Sequence, residues 1–123
     1  YGAASAGISF FISTARVHLG LDRAIPCSLI INELVSNSLK YGFPGARKGE
    51  VRVELDAVAG GKLRLVVADN GVGLPKDFDF KNSNTLGLQL VMTFIEQLNG
   101  AVELDRSNGA RFVIEFPVAS DDA

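Results

Sequence analysis

Cysteine occurs once in the 123 residues, at Cys27, so no disulfide can form within the chain and its stability must come from a packed core. The neighbours Ile25, Leu29, Ile30 and Ile31 mark that cysteine as a small buried hydrophobe rather than a reactive thiol. Long apolar runs are missing too. The longest, Ile8–Ile12 and Leu63–Ala68, fall far short of the roughly 20 residues that cross a bilayer. No secretory leader opens the chain, and Tyr1–Gly7 reads as an edge or linker of small residues. Any membrane anchor is therefore expected outside this chain, and a cytoplasmic setting with no membrane contact by this domain. A basic excess is also absent. Twelve Lys and Arg stand against fourteen Asp and Glu, a net charge of −2, which gives no reason to expect a nucleic-acid partner. Two common phosphate-binding fingerprints are missing. No G-x-x-x-x-G-K-[ST] occurs, and Gly71-Val72-Gly73 lacks the third glycine of G-x-G-x-x-G, with Pro75 where a helix should open.

What remains is the composition of one ordinary soluble domain, 47% apolar and 21% charged, long enough to bury a core. Ile8–Ser13 is rich in β-branched and aromatic residues, and Arg16–Leu21 alternates apolar and polar, so both are expected as strands. Pro26 suits the first turn of a helix. From there Ile30, Ile31, Leu34, Val35 and Leu39 recur at helical spacing until Tyr41-Gly42-Phe43-Pro44-Gly45. Strands are expected at Glu50–Leu55 and Lys62–Ala68 around the turn Ala59-Gly60-Gly61-Lys62. The polar stretch Asn70–Thr85 is a loop of the length class that is usually functional. A second helix over Leu88–Leu98 precedes strands Ala101–Asp105 and Ala110–Pro117, joined at Ser107-Asn108-Gly109, and Ala119–Ala123 reads as a tail. The order β-β-α-β-β-loop-α-β-β lacks strict β/α alternation. It predicts an α/β (α+β) two-layer sandwich, a mixed, mostly antiparallel sheet with helices on one face, over residues 8–118.

Three constellations carry chemistry. Glu33, Asn37 and Lys40 are spaced by four and three, so they line one helix face with the apolar residues opposite. An amide oxygen can ligate Mg²⁺, an ammonium can offset phosphate charge, and a carboxylate can accept a proton. A solvated surface stripe has the same spacing. Asp69-Asn70-Gly71-Val72-Gly73 follows the strongest predicted strand. A carboxylate there can accept from an adenine amine while the glycines let the backbone come close, although a plain tight turn has the same string. Thr85-Leu86-Gly87-Leu88 opens the second helix, where Thr85 can cap and free N–H groups attract phosphate, helped by Lys76 and Lys81.

In this order and at these intervals, the three stretches resemble the GHKL ATPases, and within them the histidine kinases. Asn32–Tyr41 looks like the N box, Asp69–Gly73 like the G1 box, Thr85–Leu88 like the G2 box, and Gly109-Ala110-Arg111-Phe112 like the last glycine-rich box. Leu21-Asp22-Arg23-Ala24-Ile25-Pro26 leading into Asn32-Glu33-Leu34, with Lys40-Tyr41-Gly42-Phe43-Pro44, is similar to the HWE-like subgroup. The resemblance implies a Bergerat fold and a protein histidine kinase that uses ATP and Mg²⁺ in two-component phosphorelay signalling. Asn37 would be the metal ligand, Glu33 the general base, and Lys40 a phosphate contact, with Tyr41 beside it. Asp69 would read the adenine amine. Gly71, Gly73 and Gly87 would shape the pocket and lid, the lid would be Leu74–Leu86 with Lys76 and Leu86 in it, and Thr85 and Leu88 would bind nucleotide from the G2 box. The implied partners are ATP, the dimerisation and phosphoacceptor helices of the parent protein, and a response regulator. Gly109-Ala110 stands where relatives often carry Gly-Thr, implying that a hydroxyl near the adenine is lost or replaced by water. His18, the only histidine, falls in the expected second strand and is expected to be structural or superficial, with the phosphoacceptor on a separate upstream hairpin. An anti-sigma-type serine kinase and a degenerate nucleotide-binding signalling module share the same boxes.

Overall fold

A computed structural model describes residues 7–14, 17–44, 48–74 and 85–118. The chain runs β1 (Ile8–Thr14), α1 (Leu21–Tyr41), β2 (Gly49–Val58), β3 (Lys62–Asp69), α2 (Leu86–Gln97), β4 (Ala101–Asp105) and β5 (Ala110–Pro117). One sheet orders the strands β1-β2-β3-β5-β4. β1 is parallel to β2 and every other pair is antiparallel, as the expected mixed sheet requires.

Strand alternation separates the two faces. Val51, Val53 and Leu55 of β2, Leu63, Leu65 and Val67 of β3, and Phe112, Ile114 and Phe116 of β5 are buried, while Arg52, Arg64 and Arg111 between them are exposed. Most of the inward set meets Cys27, Ile30 and Leu34 of α1, Leu88, Val91 and Ile95 of α2, and its C-cap Leu98 in one core. Each fully buried aliphatic side chain contributes about 1.5–3 kcal/mol, so this core supplies what disulfides do not. A smaller cluster of Ile8, Leu39, Phe43 and Val51 pins the last turns of α1 to the sheet. Val51 pairs in register with Asp69, so the same cluster brings the end of α1 to the end of β3.

The expected strand over Arg16–Leu21 does not form among its described residues, 17–21. Val17–Gly20 carry no regular structure and Leu21 already opens α1. The alternation arises because Val17 and Leu19 drop onto the core from a loop, whereas Leu21, which a strand would also bury, is 76% exposed. The element order is therefore β-α-β-β-α-β-β. A parallel β1–β2 pair needs a long crossover, and α1 is that crossover. His18 lies exposed in the loop, not in a strand.

α1 begins five residues before Pro26, so the proline stands inside the helix rather than in its first turn. Arg23 and Ala24 have already bonded to the Gly20 carbonyl, at 3.0 and 2.9 Å, before the proline is reached. The proline removes one further backbone bond, to the Asp22 carbonyl, and its ring is buried in exchange. In the same segment Arg23 is buried, with Nε and Nη2 unpartnered among the described residues. α2 starts at Leu86, two residues before the expected start, which places Leu86 and Gly87 in its first turn. Thr85 holds the N-cap position in extended conformation, but its side chain makes no capping hydrogen bond. Of the expected loop, 75–84 with Lys76 and Lys81 lie outside the described residues, as do 1–6 and the expected tail over 119–123. No described helix is long and apolar enough to cross a membrane.

Candidate functional site

Asp69 is the last residue of β3 and continues the inward register of Leu65 and Val67, so the sheet delivers a carboxylate to the edge of the core, only 7% exposed. A carboxylate buried there must find donors. Its Oδ1 accepts the backbone N–H of Gly71 at 2.9 Å and of Ala110 at 3.4 Å, and its Oδ2 accepts the Ser38 hydroxyl at 2.7 Å. The backbone around it closes through Gly42. Its N–H bonds to the Ser38 carbonyl at 2.8 Å, and its own carbonyl accepts the Val72 N–H at 2.9 Å. Gly71 packs on that peptide so closely that a Cβ would run into the Gly42 backbone. Gly42 itself has right-handed dihedrals, φ −79°, so crowding rather than a left-handed cap calls for glycine there. Gly73 does need its freedom, with φ +80°.

These elements enclose a cavity of about 900 Å³. Its walls are Glu33, Leu34, Asn37, Ser38, Lys40 and Tyr41 of α1, Asp69, Val72, Gly73 and Leu74, Thr85, Gly87 and Leu88 at the start of α2, and Ala110 and Phe112 of β5. All three motifs of the sequence thus meet around one space. Not every expected residue lines it. Gly71 is buried behind the wall, and Leu86, 70% exposed, is not among the lining residues. Ser38, Val72 and Phe112 join the lining without having been singled out beforehand as site residues. Ser38 carried no local signal, since its bond reaches 31 residues along the chain.

The chemistry is divided within the cavity. Leu34, Val72, Leu88 and Phe112 offer apolar surface around the Asp69 carboxylate, suited to a flat base with an amino group. Glu33, Asn37 and Lys40 line α1. The Glu33 carboxylate lies against Gly87, where a Cβ would stand 2.5 Å from Oε2. That glycine admits a carboxylate to the first turn of α2, whose free N–H groups favour negative charge. The Asn37 side chain has no hydrogen-bond partner among the described residues and is only partly buried, so its amide oxygen is available as a ligand. Among the described residues no group of three or more His, Cys, Asp or Glu could hold a metal by itself. A divalent cation at Asn37 would thus draw most of its oxygens from phosphates and water, which suits Mg²⁺. The cavity lies within the usual range of roughly 300–1,000 Å³ for small-molecule sites.

Residues 22–120 match the sequence profile of the family described as histidine kinase-, DNA gyrase B-, and HSP90-like ATPase. The chain belongs to that family. It is 36% identical over 104 residues to the sensor histidine kinase PdtaS of Mycobacterium tuberculosis (strain ATCC 25618 / H37Rv), covering 81% of this chain and 21% of that protein. Against the blue-light-activated histidine kinase 2 of Erythrobacter litoralis (strain HTCC2594) it is 27% identical over 109 residues, 88% of this chain and 32% of that one. The solved Erythrobacter litoralis EL346 blue-light-activated histidine kinase superposes with a TM-score of 0.88 at 25% identity, covering 98% of this chain and 41% of that chain. This ATPase domain is thus of the sensor-histidine-kinase kind, and its chain spans about a fifth of the length of PdtaS.

Proposed function

We propose that this ATPase domain binds Mg-ATP and, within a longer cytoplasmic or membrane-anchored sensor histidine kinase, passes the γ-phosphoryl to a histidine on dimerisation helices outside this chain. A response regulator would take the phosphoryl from there. The observation that carries the reading is the junction of α1 with β3. A buried Asp69 carboxylate held by three donors faces the same cavity as Asn37, one residue from the serine that bonds it.

In this reading Asp69 accepts from the adenine amine, while Asn37 gives Mg²⁺ an amide oxygen and Lys40 offsets phosphate charge. Gly73, Thr85 and Gly87 border the phosphate end, Leu88 packs against the base, and Tyr41 stands on the rim. Bound Mg²⁺ supplies positive charge to the phosphate oxygens. Transfer breaks the bond between the γ-phosphorus and the oxygen bridging to ADP, and forms a bond to an imidazole nitrogen. ADP leaves, and Glu33 takes the imidazole proton. Positioning and charge neutralisation carry most of such a reaction.

Calorimetric titration of ATP with and without Mg²⁺ tests the binding half. Asp69→Asn should weaken ATP by about 10- to 100-fold, the size of a lost hydrogen bond to a charged group. Asn37→Ala should remove the increment due to Mg²⁺. No binding by the unmutated chain at millimolar nucleotide would instead leave a non-catalytic signalling module. Labelled ATP should leave no stable phosphate on the chain alone, and label on His18 would contradict transfer to separate helices.

A further inference from the structure

We propose that Ser38 is a positioning residue for the base of the bound nucleotide, fixing the Asp69 carboxylate so that a lone pair of Oδ2 faces the cavity and accepts from an exocyclic amino group. The proposal rests on the nucleotide-binding reading above and adds to it the group that sets base preference. A carboxylate turns easily about its last bond, because that torsion is broad and two-fold. The Gly71 and Ala110 amides hold one oxygen, Oδ1, at 2.9 and 3.4 Å, the second of these a long bond. The Ser38 hydroxyl, 2.7 Å from Oδ2, is the shortest of the three bonds and holds the other oxygen, so the carboxylate plane is fixed from both ends.

The same bond settles what Ser38 presents. A hydroxyl has one proton, and here Oδ2 receives it, so the serine oxygen turns only acceptor lone pairs to the cavity. Ala110, Phe112 and Val72 add no polar side-chain atom to this part of the lining. The polar side-chain atoms at this edge are thus acceptors, which gives it an acceptor character. It favours a base carrying an amino group and disfavours one that presents a keto oxygen in its place, because two acceptors would then face each other. Ser38 is itself held. Its carbonyl accepts the Gly42 N–H, and the Gly42 carbonyl accepts the Val72 N–H, at 2.8 and 2.9 Å. The serine, the carboxylate and the turn after β3 are therefore one closed unit.

The test compares ATP with inosine triphosphate, the same sugar and phosphates with a keto oxygen in place of the amine. Affinities are measured by calorimetry for the unmutated chain, Ser38→Ala, Ser38→Thr and Asp69→Asn, with melting curves to verify folding. The unmutated chain should prefer ATP. Ser38→Ala should weaken ATP about ten-fold while changing inosine triphosphate little, so that the preference contracts by the same factor. Ser38→Thr keeps the hydroxyl and should keep the preference. A merely structural role would weaken both nucleotides together. An unchanged ATP preference in Ser38→Ala, with Asp69→Asn still impaired, overturns the role of Ser38 alone. Equal binding of the two nucleotides by the unmutated chain, or an Asp69→Asn variant that binds ATP normally, overturns the adenine reading along with it.

Discussion

At Asp69 a strand that should end in another aliphatic residue ends in a carboxylate, and three donors from three different segments converge to keep it there. Its glycine neighbours are part of the same arrangement, which separates two kinds of glycine. Gly60 adopts φ +84° with open space around its Cα, whereas Gly71 faces the Gly42 peptide. Gly60→Ala should cost about 1 kcal/mol, from backbone strain alone. Gly71→Ala meets backbone that cannot move aside, so it should cost more than about 2 kcal/mol and lower ATP affinity as well. Urea denaturation of both variants checks this, and equal losses would contradict it. Glu33, Asn37 and Lys40 were legible as one face from their spacing. Ser38 was not, because nothing within α1 distinguishes it from any other half-buried helical serine.

Helix α2 brings its first turn against α1, where Gly87 meets the Glu33 carboxylate. Alanine there would raise helix propensity, by up to about 1 kcal/mol. Its Cβ would also displace the Glu33 carboxylate from the start of the helix. Gly87→Ala should consequently leave the melting temperature unchanged or higher, while phosphoryl transfer in the parent kinase falls at least about ten-fold. Calorimetric melting and a labelled-ATP transfer assay measure the two effects separately, and unimpaired transfer would remove Glu33 from its assigned role. Periodicity marked both helices, but it placed their starts late. Pro26 read as a first-turn residue and Leu88 as the first residue of its helix, yet each helix begins upstream, and α1 can do so because a proline is absorbed once its ring is packed and the preceding bonds are made. The false strand at Arg16–Leu21 has a similar origin. A loop that drops two alternate residues into a core has the hydrophobic pattern of a strand.

Over the whole molecule, the single core makes unfolding pH-dependent through its one thiol. Burial pushes the Cys27 thiol up from its ordinary value. The folded chain then holds that proton more tightly than the unfolded chain does, so stability is complete below the usual thiol pKa of about 8.5 and falls as pH rises beyond it. Urea midpoints measured between about pH 7 and 10 should decline, and the decline should be shallower in Cys27→Ala. Parallel curves would show that the thiol contributes nothing.

Much of this architecture follows from local pattern. The β2–β3 hairpin, the last two strands at Ala101–Asp105 and Ala110–Pro117, and the identities of the three motifs are written in alternation, turn residues and helical spacing. Those features depend on neighbours a few residues away, which a sequence displays directly. The parallel crossover from β1 over α1 to β2, the packing of Gly71 on Gly42, and the bond from Ser38 to Asp69 join residues far apart in the chain. Their existence depends on strand register and on the angle at which α1 lies across the sheet. Only the assembled core determines those two quantities, because no single segment can bury its apolar face alone.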